Sequence, residues 1–549
     1  MTTVQTHPAR SRWPYAASGV IAAVAGTAAA HLVAGAVNPA ASPVLAVGSA
    51  VVDATPTPVK EWAVATFGTA DKPLLLGSVT VVTLLAAAGI GLLARRHRTL
   101  ALVLLVGLTA LAGAAALGQP ASGQVDVLPA LVAAAVGLAV LAWLAGLADR
   151  ASGDGATSSA RPTEAVPAAP AAPAAPADPA ALGEPAGTPG PRGAPGRRTF
   201  LVAAAGATAA AAAAGSLGQK LANTTVPTDV TLPAPVARLA ALPTGLEAQV
   251  PGLSPFRTPI RSFYRIDTSL VLPRVDHRDW SLEVDGDVER PFRLTYDELL
   301  RLPMVERDVT LTCVSNEVGG GYVSSARWLG VRVRDLLERA GVRDGVDQVL
   351  STSTTGFTVS TPLQALTDDR DALVAVGMNG QPLPVRHGFP ARLVTPGLYG
   401  FVGCTKWLER LTATTYRQDQ AYWTERGWAT EAPVLTQSRI DTPGGLQTVR
   451  AGEPVTVGGV AWAQRRGIAG VEVQVDDGPW MKATLGPEAG VDYWRQWYLR
   501  WTPEPGASRR TLTVRATDGT GQTQTSEEAT PFPRGATGWH SVVVLVEES

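Results

Sequence analysis

The sequence predicts three parts: apolar helices that cross a membrane, a mixed α+β domain, and a C-terminal β-sandwich of immunoglobulin-like size. Three observations lead there. Apolar runs of bilayer length fill residues 1–150, mixed helix and strand periods begin near residue 250, and strand alternation takes over after about 430. With 549 residues the chain is too long for one domain and has room for two or three. Charged residues are only 17% and the mean hydropathy of +0.12 is high for a soluble protein, which points to membrane segments. A net charge of -1 leaves no basic surplus for phosphates, so no nucleic-acid partner is expected.

Four spans are placed at 14–37, 73–94, 99–118 and 127–148, each near the roughly 20 residues a crossing needs. Arg10 and Arg12 precede the first, Arg95, Arg96 and Arg98 join the second to the third, and Arg150 follows the fourth. The positive-inside rule puts these arginines in the cytoplasm, so the loops 38–72 and 119–126 face outward. Residues 151–196 form an Ala/Pro/Gly tract that can bury no core and reads as an extended tether. In 197–220, Arg197, Arg198, Thr199, Phe200 and Leu201 precede an alanine-rich run. This resembles a twin-arginine export signal; a fifth transmembrane helix is the alternative. Both readings place the rest of the chain outside the cytoplasm, as the exported part of a multi-pass cell-membrane protein.

The α+β domain is assigned to 250–430. "WSLEVDGDVERPFRLTYDELLRLP" predicts strand, turn, strand and short helix. "VRVRDLLERAGV" places Val333, Leu336, Leu337 and Ala340 at helical spacing, with Gly341 as the stop. "DQVLSTSTTGFTVSTPL" predicts two strands turning at Gly356. In 431–549, "EPVTVGGVAWA", "GVEVQVDDGPW", "WYLRWTP" and "RTLTVRATDG" alternate apolar and polar residues, as a small immunoglobulin-like sandwich does.

The chain has only two cysteines. Cys313, in "LTCVSNEVGGGY", stands at a strand end before a glycine-rich loop where backbone can approach a ligand. Its thiolate would suit a soft metal; a disulfide with Cys404 is the competing reading. A second constellation, "PVRHGFPARLVTPGLYGFVGCTKWLERL" (384–411), presents His387, Arg392 and Lys406 among glycines and prolines, as loops gripping a polyanion would. Phe389, Tyr399, Phe401 and Trp407 in the same stretch argue against a freely solvated basic loop.

Together these strings, and a terminal domain ending "GWHSVVVLV", resemble the sulfite oxidase family of molybdopterin enzymes over residues 255–549. The resemblance implies a molybdenum–molybdopterin cofactor, with Cys313 as metal ligand in place of a disulfide. It implies cofactor-binding roles for Asn316, His387, Arg392, Gly403 and Lys406. "SFYRIDT" matches the segment that passes over the cofactor and adds Arg265 and Asp267. Thr355, with Thr354 beside it, would hydrogen-bond the pterin. Arg265, Arg495 in "YWRQWYLRW" and Tyr422 in "AYWTERGW" join Cys313 as catalytic candidates; an arginine stacked on Trp494 or Trp497, and a core tyrosine, are the plain alternatives. Family members that oxidise sulfite carry two arginines where this chain has Glu317 and Val318. The resemblance therefore implies oxygen-atom transfer on a small oxyanion or oxide, with reduction of an S- or N-oxide such as methionine sulfoxide as the alternative reaction. A non-catalytic surface protein reusing the fold is a further alternative, opposed by the joint presence of Cys313 and the cationic loop. No CxxCH motif occurs, and of six histidines only His31 lies well inside a predicted span, so no haem is expected. Electrons would pass to or from a separate carrier, a quinone or a cytochrome, and two copies would pair through the C-terminal domain.

Overall fold

A computed structural model divides the chain into two units, Met1–Thr224 and Thr225–Ser549, and describes residues 12–67, 70–157, 197–222, 230–506 and 508–548.

Five helices of the first unit are long and apolar enough to cross a membrane: Trp13–Ala36, Asp71–Ala94, Arg98–Leu117, Gln124–Arg150 and Arg198–Ala222. Four lie within a few residues of the predicted spans. The stretch 38–72, read as a loop, holds the helices Pro43–Ala54 and Thr57–Phe67. Residues 151–157, read as the start of the tether, continue the helix Leu128–Thr157; the rest of that tract, 158–196, lies outside the described residues.

The helix containing Arg198–Ala222 is a packed member of this unit. Phe200 is buried with Tyr15, Leu144 and Leu147 and meets Trp13 edge-on at 5.8 Å. At the other end a Cβ on Gly218 would lie 2.8 Å from the backbone of Leu32, so the helices touch backbone to backbone. Such small-residue contacts are the usual means of tight helix association in lipid, where no hydrophobic drive acts between helices.

The second unit is described from Val230, some twenty residues ahead of the predicted boundary. The proline-rich 230–250 stretch lacks periodicity, yet its backbone is tied down: Val236 N–H donates to Met304 O at 2.8 Å and Leu239 N–H to the Glu306 carboxylate at 2.9 Å. Ten strands follow among the described residues up to residue 414: β1 (Ser281–Gly286), β2 (Phe292–Thr295), β3 (Val305–Thr312), β4 (Val323–Arg332), β5 (Gln348–Ser353), β6 (Thr358–Pro362), β7 (Leu373–Met378), β8 (Gln381–Pro382), β9 (Arg392–Val394) and β10 (Leu408–Thr414). One sheet runs β2-β1-β10-β5-β6, with β1 and β10 parallel; the other runs β3-β4-β7-β8, with β9 also on β7. Val374 and Val376 of β7 face a core shared with Leu282, Leu411 and the helix residues Leu336 and Leu337. Leu373 and Ala375 face a second core with Phe263, Trp328 and Phe389. β7 is thus covered on both faces, which accounts for its unbroken apolar run.

The C-terminal region builds two sheets on one core. Gln437–Thr442, Val455–Trp462, Arg495–Trp501 and Thr484–Leu485 form the first. Thr448–Arg450, His540–Glu547, Arg509–Asp518, Ile468–Val475 and Met481–Lys482 form the second. Val457 and Trp497 of one meet Val473, Leu512, Val514 and Val544 of the other. The four predicted strands are present; Gln437–Thr442, Thr448–Arg450 and His540–Glu547 lie outside the prediction, and the two-residue strands are too short to leave a period in sequence. This region docks on β3: Gln464 Nε2 donates to Thr310 O at 2.9 Å, and Trp494 N–H to Thr310 Oγ1 at 2.8 Å.

An intact-mass measurement on protein purified from membranes should find residues 197–222 retained. A mature species beginning after residue 220 would contradict this packing.

Candidate functional site

β3 and β4 pair antiparallel with Thr312 opposite Val323, so residues 313–322 are the loop of a hairpin. Cys313 N–H donates to Tyr322 O at 2.9 Å, and Asn316 Oδ1 accepts from Tyr322 N–H at 2.7 Å. These bonds hold Cys313 at the loop's mouth. Both cysteines are free, so the disulfide reading is excluded. Burial pushes the Cys313 thiol above its ordinary range, opposed by hydrogen bonds from the Ser315 backbone and hydroxyl. A thiol without a compensating cation stays protonated there and would lose its proton on binding a metal.

The segment before β1 crosses this neighbourhood. Thr258 N–H donates to Ser325 O at 3.0 Å, Tyr264 N–H to Ser324 Oγ at 3.1 Å, and His387 Nε2 to Ile260 O at 3.0 Å. Phe263 packs edge-on against Trp328 and His387 at 5.8 and 5.6 Å. Tyr264 is thereby brought to the thiols: a Cβ on Gly400 would lie 3.9 Å from its hydroxyl, 3.8 Å from Thr312 O and 4.0 Å from Cys404 Cβ. Burial, then the neighbouring Cys313 and Cys404, hold the Tyr264 hydroxyl well above its ordinary pKa, so it keeps its proton. Tyr399 lies near Cys313 too, and burial raises it to about 12.

Arg392 is 5% exposed. Its Nη1 donates to His387 O at 3.1 Å, the guanidinium lies 4.9 Å from the Trp328 ring centre, and it hydrogen-bonds the Cys404 sulfur. Its Nε is buried without an acceptor, and no carboxylate among the described residues pairs with it. A buried donor left unmatched costs about 1–3 kcal/mol, so this cation is built to receive an anionic group. The buried Thr354 Oγ1 is unmatched as well, on the turn where Thr354 N–H donates to Trp407 O at 2.8 Å. These orphaned groups, with a soft thiol, fit a molybdopterin: Cys313 for the metal, Arg392 and Thr354 for the pterin's polar groups. No group of three His, Cys, Asp or Glu able to hold a metal occurs among the described residues, so the remaining ligands would come from the cofactor.

Several predicted residues also have partners within the fold. Lys406 is not a free point charge: it pairs with Asp267, which also pairs with Arg265, and its Nζ donates to Ile266 O at 2.9 Å. The three residues do gather, as expected, but the carboxylate occupies the space between the two cations. Asn316 secures the loop backbone. Gly403 is required by packing, since a Cβ there would lie 2.9 Å from Leu398 Cβ. Thr355 is satisfied by Ser353, Oγ to Oγ at 3.0 Å, which leaves Thr354 as the open hydroxyl. Tyr422 sits in an aromatic cluster, 5.4 Å from Phe357 and 5.0 Å from Trp423, with the Arg426 guanidinium 3.6 Å from its ring centre. Tyr422 is half-buried there, and Tyr264 and Tyr399 lie near Cys313. Arg495 Nη1 pairs with Glu488 at 3.0 Å and its Nε donates to Gly486 O at 2.8 Å. The sequence reading passed over Tyr264, although "SFYRIDT" contains it, and weighed Cys404 only as a disulfide partner, whereas its sulfur supports Arg392.

His387 is 1% exposed. Burial, and then Arg392, lower its pKa to about 4. It is therefore a neutral hydrogen-bond donor rather than a third cation. The unfolded chain titrates near 6.5, so between pH 6.5 and 4 it binds more protons than the fold does. Stability should fall across that window as pH drops, by up to about 3 kcal/mol from this group. His387→Asn should flatten the loss of thermal midpoint between pH 7 and pH 5 in detergent-solubilised protein. An unchanged pH slope would contradict the neutral, buried assignment.

Residues 269–423 match the oxidoreductase molybdopterin binding domain. Human mitochondrial sulfite oxidase is 31% identical over 329 residues, 50% of this chain and 59% of that protein. The rice NADH nitrate reductase is 30% identical over 317 residues, 46% of this chain and 34% of that protein. The chain thus spans little more than half the length of the first relative and about a third of the second. The sulfane dehydrogenase SoxCD of Paracoccus pantotrophus superposes with a TM-score of 0.46 at 24% identity, over 53% of this chain and 84% of that one. Residues 269–423 thus form a molybdopterin-binding oxidoreductase domain similar to those of sulfite oxidases and nitrate reductases, with Cys313 and the 384–411 loops inside the matched domain.

Proposed function

We propose that this protein is a membrane-tethered oxidoreductase that transfers oxygen atoms on the extracytoplasmic side, using a molybdenum–molybdopterin cofactor at Cys313. One observation carries the reading: the loop-borne thiol of Cys313 is unbridged and, with the buried cation Arg392 and its open donor, neighbours the same Tyr264 side chain. When bound, the cofactor would supply the two-electron redox chemistry and the site for the transferred oxygen. The chain's own residues do the rest. Cys313 ligates, Arg392 and the Lys406–Asp267–Arg265 cluster meet the anionic part, and Thr354 offers a hydroxyl. Tyr264 keeps its proton and can donate it as a hydrogen bond to a group beside the thiol. The five apolar helices support a membrane tether. The same proposal sends electrons to a separate carrier, a quinone or cytochrome. It assigns the C-terminal two-sheet region to the immunoglobulin-like class, with a role in pairing two copies, and residues 197–220 to membrane insertion or twin-arginine export.

A second reading, reduction of a neutral S- or N-oxide, is favoured by what surrounds Cys313. Glu317 is exposed, and Val318 faces the C-terminal region, where a Cβ on Gly538 would lie 3.7 Å from its Cγ2. Val314 packs with Tyr399, Val402 and Trp428, and Phe401 and Trp423 lie against them. An anion would forgo a charge-assisted bond worth about 1.5–3 kcal/mol at positions 317–318, whereas an uncharged oxide needs none.

Cys313→Ser should keep the fold and lose more than about 100-fold in turnover, beyond the usual cost of an outer-shell partner; unchanged turnover would remove Cys313 from the site. On one preparation, methionine sulfoxide reduction should exceed sulfite oxidation. The reverse order would overturn the second reading and leave the first.

A further inference from the structure

We propose that His540, the first residue of the last strand, is a positioning residue for Cys313 and acts through the glycine turn of the 313–322 loop. This rests on the reading of Cys313 as the centre of the site. The loop's ends are tied by the Cys313–Tyr322 and Tyr322–Asn316 bonds described above, and within it Gly320 N–H donates to Glu317 O at 2.8 Å. Its middle is held from outside the hairpin. Arg439 Nη1 donates to Gly320 O at 2.7 Å, while its Nε meets Asp441 at 2.7 Å and its Nη2 donates to Ser254 Oγ at 2.9 Å. Beside it the His540 imidazole presses on Gly319, where a Cβ would lie 2.1 Å from the ring's Cδ2. Gly319 has a φ of 77°, so only glycine meets both demands at ease.

The ring itself is fixed. Nδ1 of His540 accepts from Ile440 N–H at 3.0 Å, which places the ring's proton on Nε2. Arg439, Ile440 and Asp441 are consecutive on one strand, so a three-residue stretch sets both the arginine and the imidazole against the loop. The C-terminal region is on this account part of the active site, because it prevents the glycine turn from swinging and carrying Cys313 with it. The "GWH" that opens the last strand thereby acquires a role of its own.

Hydrogen-exchange mass spectrometry on the full-length, detergent-solubilised protein tests this. His540→Phe keeps a ring but removes the acceptor; His540→Asn keeps an acceptor at the Nδ1 position. The Phe variant should speed exchange of the 313–322 peptide about tenfold, leave the 348–362 hairpin unchanged, and the Asn variant should restore protection to within about twofold. No change at 313–322 in the Phe variant, or an equal rise in both peptides, would overturn the proposal. Molybdenum content is measured on the same samples. Local loss of protection in protein without molybdenum would support the clamp and overturn the cofactor reading, so the two failures are distinguishable.

Discussion

Everything at this site depends on where β3 stops. Thr312 makes the last pair of the hairpin with Val323, and the next residue is the thiol. Because that strand is also the seat of the C-terminal region, through Gln464, Trp494 and the Asp492 carbonyl bonded to Thr310 N–H at 2.9 Å, the two halves of the second unit fix Cys313 jointly. A soft ligand on a free loop would be poorly placed for a metal; one at the end of a doubly supported strand is preorganised.

Burial supplies the second constraint. The same desolvation that keeps Cys313 and Tyr264 protonated and His387 neutral makes an unmatched cation at Arg392 expensive. The protein resolves part of that expense with the Cys404 sulfur, the His387 carbonyl and the Trp328 ring. What remains is an open donor at Nε that a polyanionic cofactor would satisfy. Asp267 plays the opposite part, damping Arg265 and Lys406. The local field is thus less positive than a count of basic residues suggests.

The strong periods were legible. The helix Val333–Ala340, the hairpin turning at Gly356 and the long strands of the C-terminal sheets all announce themselves by spacing. The cysteine loop and the 384–411 string were legible through composition and family resemblance. The rest was not, for physical reasons. Tyr264 reaches the thiols through a bond to Ser324 and through the contacts of neighbouring Phe263 with Trp328 and His387, long-range facts that a local pattern does not carry. The fates of Arg495 and Tyr422 were decided by Glu488 and Phe357, partners chosen by the fold. Lys406 and Asp267, 139 residues apart, likewise become a pair only in space. The segment 230–250 is held by backbone bonds, which leave no signature in side-chain type.

The most direct test of the account is X-ray absorption at the molybdenum edge on the purified protein and its Cys313→Ser variant. The account expects bound molybdenum in the native protein with one sulfur neighbour fewer in the variant. An unchanged sulfur shell, or no molybdenum in protein made by a host that synthesises the cofactor, would contradict it.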